Sequence, residues 1–315
     1  MATLTFHGAA QEVTGSCHML ESPATGCILM DCGLHQGGDA VERVRDERFP
    51  FNPADIDSVI LSHAHLDHCG LLPKLFHEGF TGPIICTRAT AELLEIMLRD
   101  SVGLYLRDLE HANVRAARRG RPTEEPAFGM DDVEGVLQLC KGYAYGEQTP
   151  LGSGATLCFH DAGHILGSAI IEIEFTEKGK NKRLVFSGDL GKKDSVLMNE
   201  PALLNRADVV LMESTYGDRE HRDEQDTVAQ LNDILKATWQ KGGSVMIPAF
   251  AVGRTQDILF HLGCLHHDGE LDNWQVFLDS PMAVSYTHLT LPTTIPSWCG
   301  GWGGGGGRGG GGGGG

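Results

Sequence analysis

The sequence predicts an α/β protein in which a mixed sheet is flanked by helices and functional side chains gather where strands end. Three features predict it. Short apolar, β-branched runs recur from the first residues; after two hairpin-like pairs, helical stretches separate them; and a fresh strand–helix series begins near residue 208. A chain of 315 residues with 41% hydrophobic content can bury a full core and has room for two domains.

The expected strands, in order, are "TLTFHG", "CHMLES", "CILMDCG", "SVILSH", "PIICT", "ATLCFHDAG", "AIIEIEF", "RLVFSGD" and "DVVLMEST", each an alternating or continuous apolar run. Residues 89–119 read as one long helix and residues 129–141 as a second. From residue 208 the pattern becomes strand, helix (223–242), strand (243–250), helix (253–267), strand (274–280), the expected opening of a second domain. The expected organisation is therefore a first domain over 1–207, the beginning of another over 208–283, and a tail over 284–315.

Composition narrows the function. A formal net charge of −17 argues against a surface that binds nucleic acid everywhere, because phosphate contacts need Lys and Arg. It leaves room for a local cationic site made by metal ions. The basic stretch "RAARRGRP" reads as a solvated helix end, its cations near the negative pole of the dipole, rather than an RNA contact. No window reaches the roughly 18 apolar residues of a membrane span, and the opening lacks a basic segment followed by an apolar run. The expected location is the cytoplasm, with no membrane partner; a homo-oligomer is compatible with the sequence. Nine cysteines without a CxxC pair fit reduced, mostly buried thiols.

The strongest chemical signal is "LSHAHLDHCGLLPKL". In extended backbone, residues two apart face one side, so His63 and His65 can converge on one point just past a strand. Asp67 and His68, where a helix begins, can serve a second point. Three imidazoles and a carboxylate within six residues make a poor core and a good metal site. Imidazole and carboxylate suit zinc, and the lack of Cys ligands leaves open positions for water. Two further candidates, His164 in "FHDAGHILGSA" and Asp189 in "LVFSGDLG", follow apolar strands in Gly-flanked turns where backbone can approach closely. Either alone would more often be a structural turn residue.

Together, "LMDCGLHQGG", "HAHLDH", "AGHILGS" and "SGDLG" resemble the metallo-β-lactamase fold, an αββα sandwich. Within it, "GAAQEVTGSCHML", "MESTYGDR" and "IPAFAVGRTQD" are similar to the beta-CASP branch of RNA nucleases. The resemblance covers about residues 4–283 and implies an incomplete sandwich followed by the start of an inserted beta-CASP domain. It also implies two zinc ions, one held by His63, His65 and His164, the other by Asp67 and His68, with Asp189 bridging. Asp31 would orient the cluster from behind it, and Glu213 would be the acidic residue opening the beta-CASP domain, counted with Asp67 as catalytic; the alternative for Glu213 is a surface strand-end carboxylate. His35 stands where relatives usually carry an aromatic residue, and no role is assigned to it.

The implied chemistry is hydrolysis of an RNA phosphodiester, endo- or exonucleolytic, by a metal-activated hydroxide that Asp67 holds and orients. The alternatives are another hydrolase on the same fold, acting on a thioester or ester, and a non-catalytic metal-binding partner in RNA processing. "ESTYG" and the second strand–helix series weigh against the former, and the intact set of ligands against the latter.

Past "DSPMA" the pattern breaks. "VSYTHLTLPTT" resembles a translated frame of a sequencing adapter, and Trp298, Trp302 and Arg308 interrupt the glycines with codons a single base from GGG. A flexible glycine linker or an Arg-Gly RNA-binding tail is the biological alternative. The expectation is a disordered, non-native tail from residue 284. With the family's last ligand and proton donor absent, the fragment is expected to be inactive and poorly soluble.

Overall fold

The computed structural model describes residues 1–37, 40–193, 195–219, 224–271 and 273–294. They divide into two compact units, Met1–Gln230 and Leu231–Gly315.

In the first unit, two sheets face each other. The first contains β1 (Thr3–Phe6), β2 (His18–Ser22), β3 (Gly26–Met30), β4 (Ser58–Ile60), β5 (Ile84–Thr87) and β6 (Cys140–Tyr143), side by side in sequence order. Pairing is antiparallel from β1 to β3 and parallel from β3 to β6. The second contains β7 (Thr149–Leu151), β8 (Ala155–Asp161), β9 (Ala169–Glu177), β10 (Lys180–Phe186) and β11 (Val209–Leu211), in the order β11-β10-β9-β8-β7. Only β10 and β11 run parallel there.

Period-two alternation fixes which face is buried. Leu157 and Phe159 of β8, Ile171 and Ile173 of β9, and Leu184 and Phe186 of β10 meet Leu20, Ile28, Met30, Ile60 and Ile85 of the first sheet in one core cluster. The intervening residues of β8 to β10 include His160, Glu172, Glu174 and Arg183, which pair among themselves on the other face. Helices α1 (Ala40–Asp46), α2 (Leu66–Cys69), α3 (Leu72–His77), α4 (Arg88–Arg118) and α5 (Met130–Leu139) form the remaining layer, with α4 in contact with β5, β6 and α5. The Thr87 hydroxyl accepts the Thr90 N–H at 3.1 Å and starts α4. At the other end the Arg121 N–H returns to the Ala116 carbonyl. The eight described cysteines are free. No helix of the described residues is long and apolar enough to cross a membrane.

Three expectations are revised. Strands β6 and β7 were not foreseen: they are short and carry Lys141, Gly142 and Pro150, which mask a strand pattern. The change of domain does not fall at residue 208, because β11 adds to the open edge of β10, Leu184 facing Val209; the compact division falls after Gln230. The third revision concerns the second unit.

There, α6 (Glu224–Gln240), which begins in the first unit, and α7 (Arg254–His267) form where helices were expected. Leu235, Leu262, Leu265 and Leu271 make a small core, joined by Val245 and Trp274. Residues 243–250 and 274–280, expected as strands, join no ladder among the described residues. Met246 is 92% exposed and Phe277 84%. An extended segment becomes a strand only when a neighbour takes up its N–H and C=O groups. The tail also differs from expectation up to residue 294. Ser280 accepts the Ala283 N–H at 3.2 Å, Pro281 follows at the first helical position, and α8 (Pro281–Thr294) forms. Tyr286 of α8 is buried, and Thr287 Oγ1 accepts the Gln256 amide at 2.9 Å. Residues 295–315, including Trp298, Cys299, Trp302 and Arg308, lie outside the described residues.

Candidate metal centre

Strand β4 delivers the first candidate ligands. The chain leaves it through Leu61 and Ser62, stays extended to His65 at the start of α2 (φ −67°, ψ 146°), and turns helical. His63 and His65 therefore share a side, and Asp67 and His68 occupy the first turn of α2. His63 is fully buried. Two loops from the second sheet bring the rest. After β8, Asp161 accepts the Gly163 N–H at 2.8 Å, and Ser168 Oγ accepts the N–H groups of His164 and Ile165 at 3.0 and 3.1 Å, which fixes the His164 turn. After β10, the turn through Gly188 carries Asp189. Gly188 (φ +52°) lies so close to β4's end that a Cβ there would stand 2.6 Å from Ser62 Cβ, and a Cβ on Gly191 would stand 1.8 Å from the Gly163 carbonyl oxygen. The glycines let three loops close on one point.

His63, His65, His164 and Asp189 each offer a ligand atom there, all within 4.8 Å of one another. His65 Nδ1 lies 3.0 Å from His63 Nε2 and 3.2 Å from His164 Nε2. Asp189 turns Oδ2 toward His164 and His63, at 3.5 and 3.7 Å, and Oδ1 toward His68 Nε2 at 3.2 Å. His68 Nε2 is 3.9 Å from Asp67 Oδ2. Two groups of ligand-type atoms thus flank one carboxylate.

Electrostatics follow from burial. It holds His63 well below the usual imidazole range, takes His65 down to about 3, and lowers His164 despite Asp189 nearby. These rings are neutral at pH 7, with lone pairs to offer. His68 behaves oppositely: burial pulls it down, but the Asp31 and Asp189 carboxylates outweigh that and lift it well above its ordinary value. Burial would raise Asp189, yet its hydrogen bond with His68 and the surrounding imidazoles bring it to about 2. Asp67 is raised, chiefly by burial. Neutral imidazoles turned on an ionised carboxylate, with no Lys or Arg in their described contacts, form a donor set that fits a divalent cation.

Behind the ligands, Asp31 is fully buried and adopts φ +63°, a left-handed conformation that an L residue holds only when its surroundings impose it. Its Oδ1 accepts the Ser62 N–H at 2.8 Å. Its Oδ2 accepts the hydroxyls of Ser62 and Ser16 at 2.9 and 3.0 Å and lies 2.7 Å from His68 Nδ1. Ser16 also donates its N–H to the Asp67 carbonyl at 2.8 Å. Ser16, Ser62, Asp161 and Ser168 were not singled out from sequence. Only Asp161 carried a signal, an Asp two residues before a turn glycine. Glu213 stands outside the clustered ligand atoms: Oε1 accepts the Leu190 N–H at 2.7 Å and its own N–H donates to Ser187 Oγ at 3.1 Å, bracketing Asp189. His35 lies 3.3 Å from Glu47 and 3.5 Å from Glu12, away from the cluster.

Residues 10–143 match the metallo-beta-lactamase superfamily. The chain is 42% identical over 276 residues to "Ribonuclease TTHA0252" of Thermus thermophilus, covering 88% of this chain and 58% of that protein. It is 32% identical over 286 residues to "Transcription termination factor FttA" of Methanocaldococcus jannaschii, 88% of this chain and 41% of the relative. An "RNase J-like protein" of the same organism is 30% identical over 285 residues, 90% of this chain and 59% of the relative. The chain spans about half the length of these curated relatives. Its two facing sheets with ligand-type side chains at their strand ends agree with the matched segment: the chain carries a metallo-β-lactamase superfamily domain, and it is similar to relatives named as ribonucleases and as a transcription termination factor.

Proposed function

We propose that this chain provides the hydrolytic centre of a zinc-dependent ribonuclease. The observation that carries the reading is Asp189, whose two oxygens face different sets of ligand-type atoms. His63, His65, His164 and Asp189 would hold one zinc ion; Asp67, His68 and the other oxygen of Asp189 would hold the second. Bound there, two zinc ions supply Lewis acidity, lowering the pKa of a water and neutralising the charge of a phosphodiester. The protein's own part is positioning. Asp67, fixed at its carbonyl by Ser16, would orient the attacking water and take up its hydrogen bond. Glu213 would keep the Asp189 turn in place through Leu190 rather than touch substrate. Relatives named as ribonucleases and as a transcription termination factor support RNA as the substrate class.

Two measurements test this. Elemental analysis of folded protein given excess zinc should find up to two equivalents; less than about a tenth of an equivalent would sink the reading. In a chain extended to its relatives' length, Asp67→Asn should lower RNA cleavage by about a hundredfold or more while RNA binding changes little. Equal losses would make Asp67 a folding residue. Hydrolysis of a thioester with RNA left intact would instead favour another hydrolase.

A further inference from the structure

We propose that Ser62 is a positioning residue: its single hydroxyl fixes which nitrogen of His63 carries the proton and ties that ring, through Asp31, to His68. The inference rests on the reading of His63 and His68 as ligands of neighbouring metal positions. Ser62 Oγ is fully enclosed and meets three groups, Asp31 Oδ2 at 2.9 Å, His63 Nδ1 at 3.0 Å and His68 Nδ1 at 3.4 Å. Counting protons decides their roles. A hydroxyl has one proton to give and lone pairs to receive with. An ionised carboxylate only accepts, and a hydrogen bond to it is roughly twice as strong as one between neutral groups. The Ser62 proton therefore goes to Asp31.

The oxygen then faces His63 Nδ1 with lone pairs alone, so that nitrogen must be the N–H. His63 Nε2 is left with its lone pair, and it is the atom turned toward His65 and Asp189. At His68 the same reasoning applies directly: Nδ1, 2.7 Å from Asp31, donates, and Nε2 faces Asp189. The opposite assignment, Ser62 donating to His63, would leave Asp31 without one of its charge-assisted partners and place the His63 proton on the ligand face. The geometry thus presents the ligand nitrogens of two neighbouring positions from one buried relay. Ser16 supplies a control, since its hydroxyl donates to Asp31 rather than to His63.

The test uses the full chain, metal-free, labelled with nitrogen-15 in histidine, with zinc affinity measured against a competing chelator. In the unsubstituted protein at neutral pH, His63 should give the Nδ1–H signature. Ser62→Ala should shift it toward the Nε2–H form and weaken zinc binding by about ten- to a hundredfold, the usual effect of losing a group that orients a ligand. Ser16→Ala should leave the His63 signature unchanged. An Nε2–H signature for His63 in the unsubstituted protein overturns the proposal, and that measurement decides even if Ser62→Ala does not fold. A folded Ser62→Ala protein with the same tautomer and the same zinc affinity overturns it as well. Failure of the metal reading looks different: the unsubstituted protein would bind no zinc, while the tautomer would still be read.

Discussion

Residues 155–186 of the first unit and residues 243–250 of the second are both rich in apolar, strand-favouring side chains, yet they meet different fates. In the first unit, β8, β9 and β10 pair along their length, and Phe159, Ile171 and Leu184 disappear into the core between two sheets. In the second, residues 243–250 join no described ladder, and Met246 and Phe250 are exposed. The difference teaches that strand propensity is a preference for a half-buried, paired surface, and becomes structure only where an edge is offered. It also separates the candidate site: His63, His65, His164 and Asp189 all lie in the first unit, where paired sheets aim their loops at one point.

The comparison can be broken or sharpened by substitution. The largest effect is expected at Phe159, fully buried between the sheets. Phe159→Ala should destabilise the first unit by about 3–5 kcal/mol, the range for a large aromatic removed from a packed core. Hydrogen exchange of β8 to β10 amides in urea would measure it, and a loss below about 1 kcal/mol would mean that the inter-sheet core is loosely packed.

Next comes Tyr286 of α8, at 1% exposure. Tyr286→Ala should cost the second unit about 3 kcal/mol, read from the exchange of α7 amides. This is the substitution that decides between a seated helix and the disordered tail that composition suggested: unchanged protection of α7 would restore the expectation that residues from 284 onward contribute no packing.

The smallest effect is expected at Phe277. Although it is the same residue type as Phe159, it is 84% exposed, so Phe277→Ala should change stability by no more than about 0.5 kcal/mol. A loss near that of Phe159→Ala would show that residues 274–280 are covered in solution and would erase the contrast between the units.

The motif from His63 to His68 was legible because its candidate ligands are local. Two residues apart in extended backbone, then one turn of helix, is a geometry that spacing alone specifies. His164 and Asp189 were legible as Gly-flanked turns after apolar runs, but nothing in their spacing says that they meet His63; the resemblance to a known fold supplied that. Ser16, Ser62 and Asp31 show the limit. Ser16 and Ser62 lie 15 and 31 residues from Asp31 in sequence, and a serine beside a strand looks like any other until the carboxylate it serves is in place.

By itself, then, the sequence determined the α/β class, most strands and long helices of the first unit, and the residue types of a metal site, because periodicity and local spacing act over a few residues. The tertiary structure alone decided that β11 closes on β10, that residues 243–250 and 274–280 join no described ladder, that Glu213 accepts from the Asp189 turn, and that one buried serine faces two candidate ligand histidines. Each of these depends on groups far apart along the chain, and only packing fixes which backbone edge and which hydrogen-bond partner each will meet.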